Sequence, residues 1–373
     1  MLYDTLLVVK RNGGIIVEQI TRGSEYQSFL DCRKEWKYAW WEKIEPKRPD
    51  NKLFFGTLFH VFAQHYYLNN CNFGVAIQET DKFVAEQDMS GMEQVEIDDM
   101  FILFHGVISN YHERYGIDDQ AFEVLGTEVE FLIKMDEDGK YMSGTIDLIY
   151  KLNGKVRFAD HKTVASLSMY EDKSKMDRQI SRYWWALQQV SAGIGLVYNE
   201  EYGGFEKWDK LLGLEIDGFD YNLVAKDYPK EPKQLKPKKG FSVGALSQDK
   251  SQKTTYDLYL RKIQLLGLEE SDYTEMLEML KNKPDLFLKR IDVLRTQTEL
   301  QAAAMEFLYV SHEIQNTRQL LEDHPEIEDQ VTYRNIGNKC TTMCSFTAIC
   351  RTAIEGGNVS LTKNLAYRPK DNG

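Results

Sequence analysis

The sequence has no apolar run approaching the roughly 18 residues that a membrane-spanning helix needs, so no part of it reads as a membrane segment. It lacks the Gly-x-x-x-x-Gly-Lys-Ser/Thr phosphate loop, and ATP-driven translocation by this chain is therefore not expected. The opening, Met1-Leu2-Tyr3-Asp4, carries an acid where a secretory signal carries base, and no A-x-A site follows; the expectation is a cytoplasmic protein. An excess of positive charge is missing as well. The 46 basic residues face 58 acidic ones, a net charge of −12. This argues against a general nucleic-acid coat, whose affinity comes from neutralising phosphates. It does not exclude an enzyme of nucleic acids, because metal-binding carboxylates are themselves acidic and basic groups can be gathered locally. Cysteine is scarce and odd in number, five in 373 residues, which does not suit a disulfide framework. Disorder is excluded for most of the chain by a composition that is 42% hydrophobic and 12% aromatic.

The chain carries no internal repeat and no long linker. Leu6–Lys10 and Gly14–Gln19 read as a short hairpin, and Ser24 as the N-cap of a helix reaching about Trp41. A second helix is expected after Gly56, with Leu58, Phe59, Phe62 and Ala63 on its apolar face. Met100–Tyr115 and Gln179–Val190 read as helices, and two adjoining hairpins fill Ala121–Thr163. Tyr228–Phe241, with three prolines and the lysines Lys230, Lys233, Lys236, Lys238 and Lys239, reads as an extended loop. Thr255–Leu280 and Thr296–Leu321 read as helices. The expected division is a core over 1–200, a basic loop and helical region over 201–335, and a cysteine cluster with a polar tail over 336–373.

The central hairpin is the most informative segment. Asn153-Gly154 is a strong two-residue turn signal. With that turn, Leu152 faces Lys155, and Asp147 falls directly opposite Asp160 on the same face. Lys162, two residues further along, shares that face. Directly opposed carboxylates repel, and a divalent cation compensates them well, since Mg²⁺ and Mn²⁺ prefer oxygen ligands. An acid followed thirteen residues later by Asp160-His161-Lys162 suits metal-assisted phosphodiester hydrolysis. Asp138-Gly139 is a second turn candidate, which would pair Glu130 with Asp147 and keep Glu128 on the same face.

Four ordered elements carry a resemblance: Gly56-Thr57-Leu58-Phe59-His60, Gly144-Thr145-Ile146-Asp147, Asp160-His161-Lys162, and Gln179-Ile180-Ser181-Arg182-Tyr183. In these the sequence resembles the PD-(D/E)XK nucleases, specifically the RecB- and AddB-type exonuclease branch that also includes CRISPR-adaptation nucleases and phage exonucleases. The resemblance covers about 25–200 and 335–355. It implies an α/β fold with a restriction-endonuclease-like core, a mixed β-sheet flanked by helices, with an additional helical region. It implies that His60, Asp147 and Asp160 bind Mg²⁺ or Mn²⁺, with the carbonyl of His161 as a further ligand. Lys162 would be the catalytic lysine, and Gln179 and Tyr183 would position DNA near the metals. Either Glu128 or Glu130 would add an acid, and Arg178 and Arg182 would meet phosphates.

Three of the five cysteines fall within eleven residues, Cys340, Cys344 and Cys350. In the same branch of the family, an early cysteine joins three late ones around a 4Fe–4S cluster, and Cys32 stands where that early ligand would. Four thiolates suit iron–sulfur or zinc, and the resemblance favours iron, with zinc the lesser alternative. The first gap of the late trio is three residues where the family has two. Such a cluster would staple the N-terminal helix to the C-terminal segment. Cys71 is expected to be a buried free thiol. The expected function is a metal-dependent DNA exonuclease in recombination, repair or phage DNA processing, working on DNA with a separate helicase or recombination protein and with no membrane. The competing readings are a non-catalytic DNA-binding or scaffold subunit of a recombination complex, and a structural zinc-type module.

Overall fold

The computed structural model describes residues 7–9, 15–17, 19–48, 51–89, 92–201, 203–237, 239–240, 242–283 and 285–370. The opening Met1–Asp4, four residues of the first expected hairpin (Leu6, Lys10, Gly14 and Glu18), Lys238 and Phe241 lie outside the described residues. No helix among the described residues is long and apolar enough to cross a membrane.

The chain begins with β1 (Leu7–Val9) and β2 (Ile15–Val17), an antiparallel pair, then β3 (Gln19–Arg22), which runs straight into α1 (Gly23–Asp31). The helix thus starts at Gly23 rather than after an N-cap at Ser24, and no side chain caps it. β3 is paired up to Arg22, and a Cβ at residue 23 would lie 3.3 Å from the Tyr183 hydroxyl, so the chain turns where glycine fits. α2 (Arg33–Trp36), a π-turn (Lys37–Trp41) and β4 (Ile44–Pro46) follow.

Three helices come next, α3 (Asn51–Leu68), α4 (Phe73–Ala85) and α5 (Gln94–Tyr115). α3 begins before Gly56 because its apolar stripe does: Phe55, Leu58, Phe59, Phe62 and Tyr66 are all buried at helical spacing. The sheet strands β5 (Glu123–Lys134), β6 (Lys140–Leu152) and β7 (Lys155–Val164) lead to α6 (Leu167–Lys175), α7 (Arg178–Ser191), β8 (Leu196–Asn199), β9 (Gly204–Glu206) and β10 (Ile216–Ala225). After the extended basic loop come α8 (Tyr256–Leu265) and α9 (Thr274–Asn282), two helices where one was expected. Gly267, with φ +63°, ends the first of them. β11 (Leu288–Val293), the long α10 (Gln297–Asp323), the short α11 (Glu328–Val331) and α12 (Lys339–Thr342), α13 (Thr347–Ile354), α14 (Val359–Ala366) and β12 (Tyr367–Pro369) complete the chain.

One eight-stranded mixed sheet organises the molecule, in the order β11-β10-β7-β6-β5-β8-β9, with β3 beside β6. Three of its strands, β9, β10 and β11, come from beyond residue 200; β10 lies parallel to β7 and antiparallel to β11. Alternate residues supply two layers, as strand geometry requires. Ile149, Phe158, Phe219, Tyr221 and Leu223 pack towards α1, α7 and α10, meeting Tyr26, Trp184, Leu187 and Phe307. Leu148, Tyr150, Ala159 and Val224 pack towards α3 and α5, meeting Phe59, Phe62, Phe104 and Tyr111. The result is a mixed α/β sheet flanked by helices, of the restriction-endonuclease-like kind.

The sheet splits where the opposed acids lie. β6 pairs with β7 only from Leu148↔Ala159 to Leu152↔Lys155. Further back, β3 takes the same edge of β6, over Lys140–Ser143. Asp147 and Asp160 are thus the first residues past the end of the β6–β7 ladder, where the strands part.

Candidate active site

The β6–β7 register follows from the turn. Asn153 (φ +53°) and Gly154 (φ +78°) both adopt the left-handed conformation that a type I′ turn needs, and Leu152 faces Lys155. The upstream turn is wider than Asp138-Gly139. Lys134 faces Tyr141, and the Met135 N–H donates to the Lys140 carbonyl at 2.8 Å. Glu130 therefore faces Thr145, while the pairs Thr127↔Leu148 and Val129↔Ile146 bracket Glu128 across from Asp147. Glu128 has φ +47°, a conformation that costs a non-glycine residue of order 1–3 kcal/mol and that clusters at functional sites.

The helices bring the remaining groups. A Cβ at Gly56 would lie 3.4 Å from Thr163 Oγ1, so α3 approaches β7 closely there. His60, one turn on, shares that face. Its Nδ1 lies 3.4 Å from Glu128 Oε1 and 3.5 Å from Asp147 Oδ2. Ligand atoms of His60, Glu128 and Asp147 all lie within 4.8 Å of one another. Asp147 Oδ2 also accepts the His161 backbone N–H at 2.6 Å. Asp160 is held differently: Lys162 Nζ donates to it at 2.9 Å and Gln179 Nε2 at 3.1 Å. Lys162 Nζ lies 3.5 Å from Gln179 Oε1. His65, although on the same helix, stays half-buried and outside this group.

Tyr183 lies against the strand that carries Asp147. A Cβ at Gly144 would fall 2.9 Å from Tyr183 Cε1 and 2.9 Å from Phe131 Cζ. The glycine of Gly144-Thr145-Ile146-Asp147 and the tyrosine of Gln179–Tyr183 are thus two halves of one contact. Trp184 is buried against Phe158 and belongs to the core. Arg178 pairs with Glu306 on the surface, and Arg182 is buried over the Tyr26 ring.

Burial dominates the electrostatics. It raises the Asp160 pKa to about 6, against the pull of Lys162 and with help from Asp147. Burial raises Asp147 too, opposed by His60 and reinforced by Glu128. Burial alone would lower His60, but Asp147 and Glu128 outweigh it and carry its pKa to about 9. Lys162 is raised: burial works against its charge, and Asp160 and Asp147 more than compensate. His60 and Lys162 are thus the positive charges that offset the acids. Burial lowers His161 well below its ordinary value, and its Nδ1 lies 2.7 Å from Asn222 Nδ2. Asn222 also meets Tyr111, which with Tyr67 and Asp119 receives Arg290 from β11. This buried network beneath the site carries no motif, and only the placement of β10 and β11 reveals it.

The cysteines are neighbours without forming a tight set. Cys32 ends α1, its Sγ accepting the Asn335 N–H at 3.4 Å, and the Cys340 Sγ lies 3.9 Å from the Asn335 carbonyl. Cys344 and Cys350 border a small core of Tyr38, Phe346, Ile349 and Tyr367. Among the described residues no three cysteine Sγ atoms lie within 4.8 Å of one another, so the expected cluster arrangement is not present. All five cysteines are free, and burial lifts the Cys71 thiol to about 11.

A profile of the PD-(D/E)XK nuclease superfamily matches residues 23–351. The chain belongs to that superfamily. An ATP-dependent helicase/nuclease subunit of Staphylococcus epidermidis is 27% identical over 184 residues, 46% of this chain and 14% of that protein. The chain therefore spans about a seventh of this relative's length. In this member of the superfamily one hairpin presents Asp147, Asp160 and Lys162, with His60 and Glu128 brought to them across the sheet.

Proposed function

We propose that this chain is a metal-dependent deoxyribonuclease that acts as an exonuclease in recombination, repair or phage DNA processing. The observation that carries this reading is the convergence of His60, Glu128 and Asp147 within 4.8 Å, beside an Asp160 bound by Lys162 and Gln179. This donor set, oxygen-rich with one imidazole, fits Mg²⁺ or Mn²⁺. His60, Glu128, Asp147 and Asp160 would hold the ion, with the His161 carbonyl as a further ligand; Glu130, facing Thr145, is the weaker choice of extra acid. A bound cation would polarise the scissile phosphate and lower the pKa of an attacking water. His60 would give up its proton on binding it. Lys162, fixed by Asp160 and Gln179, would hold the attacking water or offset charge on the phosphorane-like transition state. Gln179 and Tyr183, one turn apart on α7, would position the DNA strand, with Arg178 and the exposed Lys233, Lys236 and Lys239 as further backbone contacts.

The family and the name of the staphylococcal relative support a nuclease over a non-catalytic scaffold, and so does the presence of Asp147, Asp160 and Lys162 together. A separate helicase would supply translocation. We also propose Cys32, Cys340, Cys344 and Cys350 as iron–sulfur ligands that draw together on binding, with zinc as the lesser alternative. The division at residues 200 and 335 is proposed for ligands alone: nuclease ligands before 200, the late cysteines after 335, and 201–335 lending three strands to the sheet. A cytoplasmic location follows from the proposed DNA substrate. The deciding assay uses end-labelled linear and circular DNA, single- and double-stranded, with Mg²⁺, Mn²⁺ or EDTA. Metal-dependent loss of linear DNA with circles spared supports the exonuclease; cleavage of circles makes it an endonuclease.

A further inference from the structure

A cleft of about 780 Å³ opens beside Lys162, between α1 and α7. Gly23, Ser24, Gln27 and Ser28 line one wall, and Gln179, Arg182 and Tyr183 line the other. Its charges are unevenly satisfied. The acids Asp31 and Glu35 both hold Lys339, at 2.9 and 2.8 Å. Asp177 accepts the Gln179 N–H at 2.8 Å and the Tyr221 hydroxyl at 2.5 Å. Arg178 is paired with Glu306, and Lys162 with Asp160. Lys173, exposed, sits over the Tyr170 ring.

Arg182 is the exception. It is 2% exposed, and its guanidinium lies 4.2 Å from the centroid of the Tyr26 ring. Two of its three guanidinium nitrogens, Nε and Nη1, have no hydrogen-bond partner, and no carboxylate pairs with it among the described residues. A buried charge without a partner is costly, and buried charges are ordinarily paired. Glu306 is already engaged by Arg178 and by the Tyr26 hydroxyl.

Two further unsatisfied features share the cleft. The Ser28 hydroxyl is buried without a partner. α1 starts in the cleft wall with no capping side chain; its first-turn acid, Glu25, is buried and bound to Trp36 and Arg318. An uncapped helix start, a free hydroxyl and an unpaired guanidinium are all donors, and together they suit a tetrahedral anion.

We propose that this cleft holds a second phosphate of the bound strand, at a subsite formed by Arg182, Ser28 and the start of α1, apart from the metal-holding acids. The proposal rests on the nuclease reading and adds where the neighbouring phosphate goes. Tyr183 links the two places, since it touches Gly23 at the start of α1 and Gly144 in the strand of Asp147. The cleft size suits a short piece of one strand rather than an enclosed duplex. The anion is a phosphodiester of the backbone or a terminal phosphomonoester, which share this chemistry.

The test is binding in EDTA, so that metal plays no part. Three single-stranded oligonucleotides of one sequence, 5′-phosphorylated, 3′-phosphorylated and unphosphorylated, carry an internal fluorophore, and anisotropy is read across a salt series. Arg182→Gln should weaken binding about tenfold and reduce the slope of log affinity against log salt by about 0.7, one phosphate contact on a single strand. Ser28→Ala should weaken it by roughly 2- to 10-fold with the slope kept. Arg48→Gln, the same charge change at an exposed pair with Glu96, should alter neither. Equal losses on all three oligonucleotides identify a diester; a wild-type preference for one phosphorylated end that Arg182→Gln abolishes identifies a monoester. Wild-type affinity and slope in a folded Arg182→Gln protein overturn the subsite. If Arg182→Gln does not fold, Arg182→Lys and Ser28→Ala carry the test, and wild-type affinity in both overturns it. Wild-type protein that binds and cleaves DNA while Arg182→Gln matches it removes only the subsite. Wild-type protein that neither binds nor cleaves removes the nuclease reading as well.

Discussion

Asp147 and Asp160 stand thirteen residues apart on one hairpin, whereas Cys32 and Cys340 lie 308 residues apart and meet across Asn335. The acids sit on paired strands with cores on both faces of the sheet. The cysteines sit on a helix end and short C-terminal helices around a core of four buried residues. The acid site is therefore pre-formed: His60, Glu128 and Asp147 already converge. The cysteine end brings its thiols near one another and stops short. A local turn can set a register within ångströms. Closing a loop of some 300 residues leaves more slack, because the ordering comes from contacts distributed over many elements.

Breaking the acid site should abolish chemistry while sparing the fold. Asp147→Asn and Lys162→Ala should each lower cleavage by on the order of 10³-fold or more, with melting temperatures within a few degrees of wild type. Steady-state cleavage beside thermal melting checks this, and near-native turnover in either variant counts against the site.

Breaking the cysteine end should do the reverse. Cys32→Ser and Cys344→Ser should lose metal and very roughly several kcal/mol of stability, with activity falling in step with folded protein. Cys71→Ser, at a buried free thiol that touches neither site, should do far less. Metal analysis and a visible spectrum of anaerobically purified protein accompany the melts. Colourless protein with stoichiometric zinc replaces iron with zinc; protein without metal removes the ligand proposal.

A third variant tests whether the strand–helix contact couples fold to site. Gly144→Ala pushes a methyl against Tyr183 and Phe131, and overpacking of that kind costs about 1–3 kcal/mol. Tyr183→Ala in the same chain should restore part of the stability but not the activity. A double-mutant cycle reads the coupling, and strict additivity would show that the two halves act separately.

The smallest expected contrast is between the two glutamates. Glu128→Gln should weaken Mn²⁺ binding about 10- to 100-fold, as loss of a ligand or its partner does. Glu130→Gln should change it by less than about twofold, since it faces Thr145. Calorimetric titration with Mn²⁺ distinguishes them, and equal losses would mean that the register of β5 does not select the ligand.

The sequence carried the site further than it carried the sheet. Asn153-Gly154 sets the register that places Asp147 against Asp160, because a two-residue turn leaves no freedom in pairing. Which of Glu128 and Glu130 lies across from Asp147 was not legible, because both share one face and a wider turn between Met135 and Lys140 sets that register. β10 and β11 escaped notice for a different reason. Asp217, Asp220, Asn222, Arg290 and Asp292 interrupt their apolar pattern, yet these groups are used: Asp220 and Asp292 receive Arg157, and Asn222 meets His161. Polar residues that find partners only in the assembled sheet read as loop in one dimension.

The central claim is that the hairpin acids, with His60 and Glu128, form a metal-dependent nuclease site. Its most direct test is Asp160→Asn beside wild type, on end-labelled linear DNA with Mg²⁺, Mn²⁺ or EDTA. Wild type should degrade the DNA only with metal, and folded Asp160→Asn should leave it intact in every condition. Cleavage by Asp160→Asn at the wild-type rate, or by wild type in EDTA, would contradict the account.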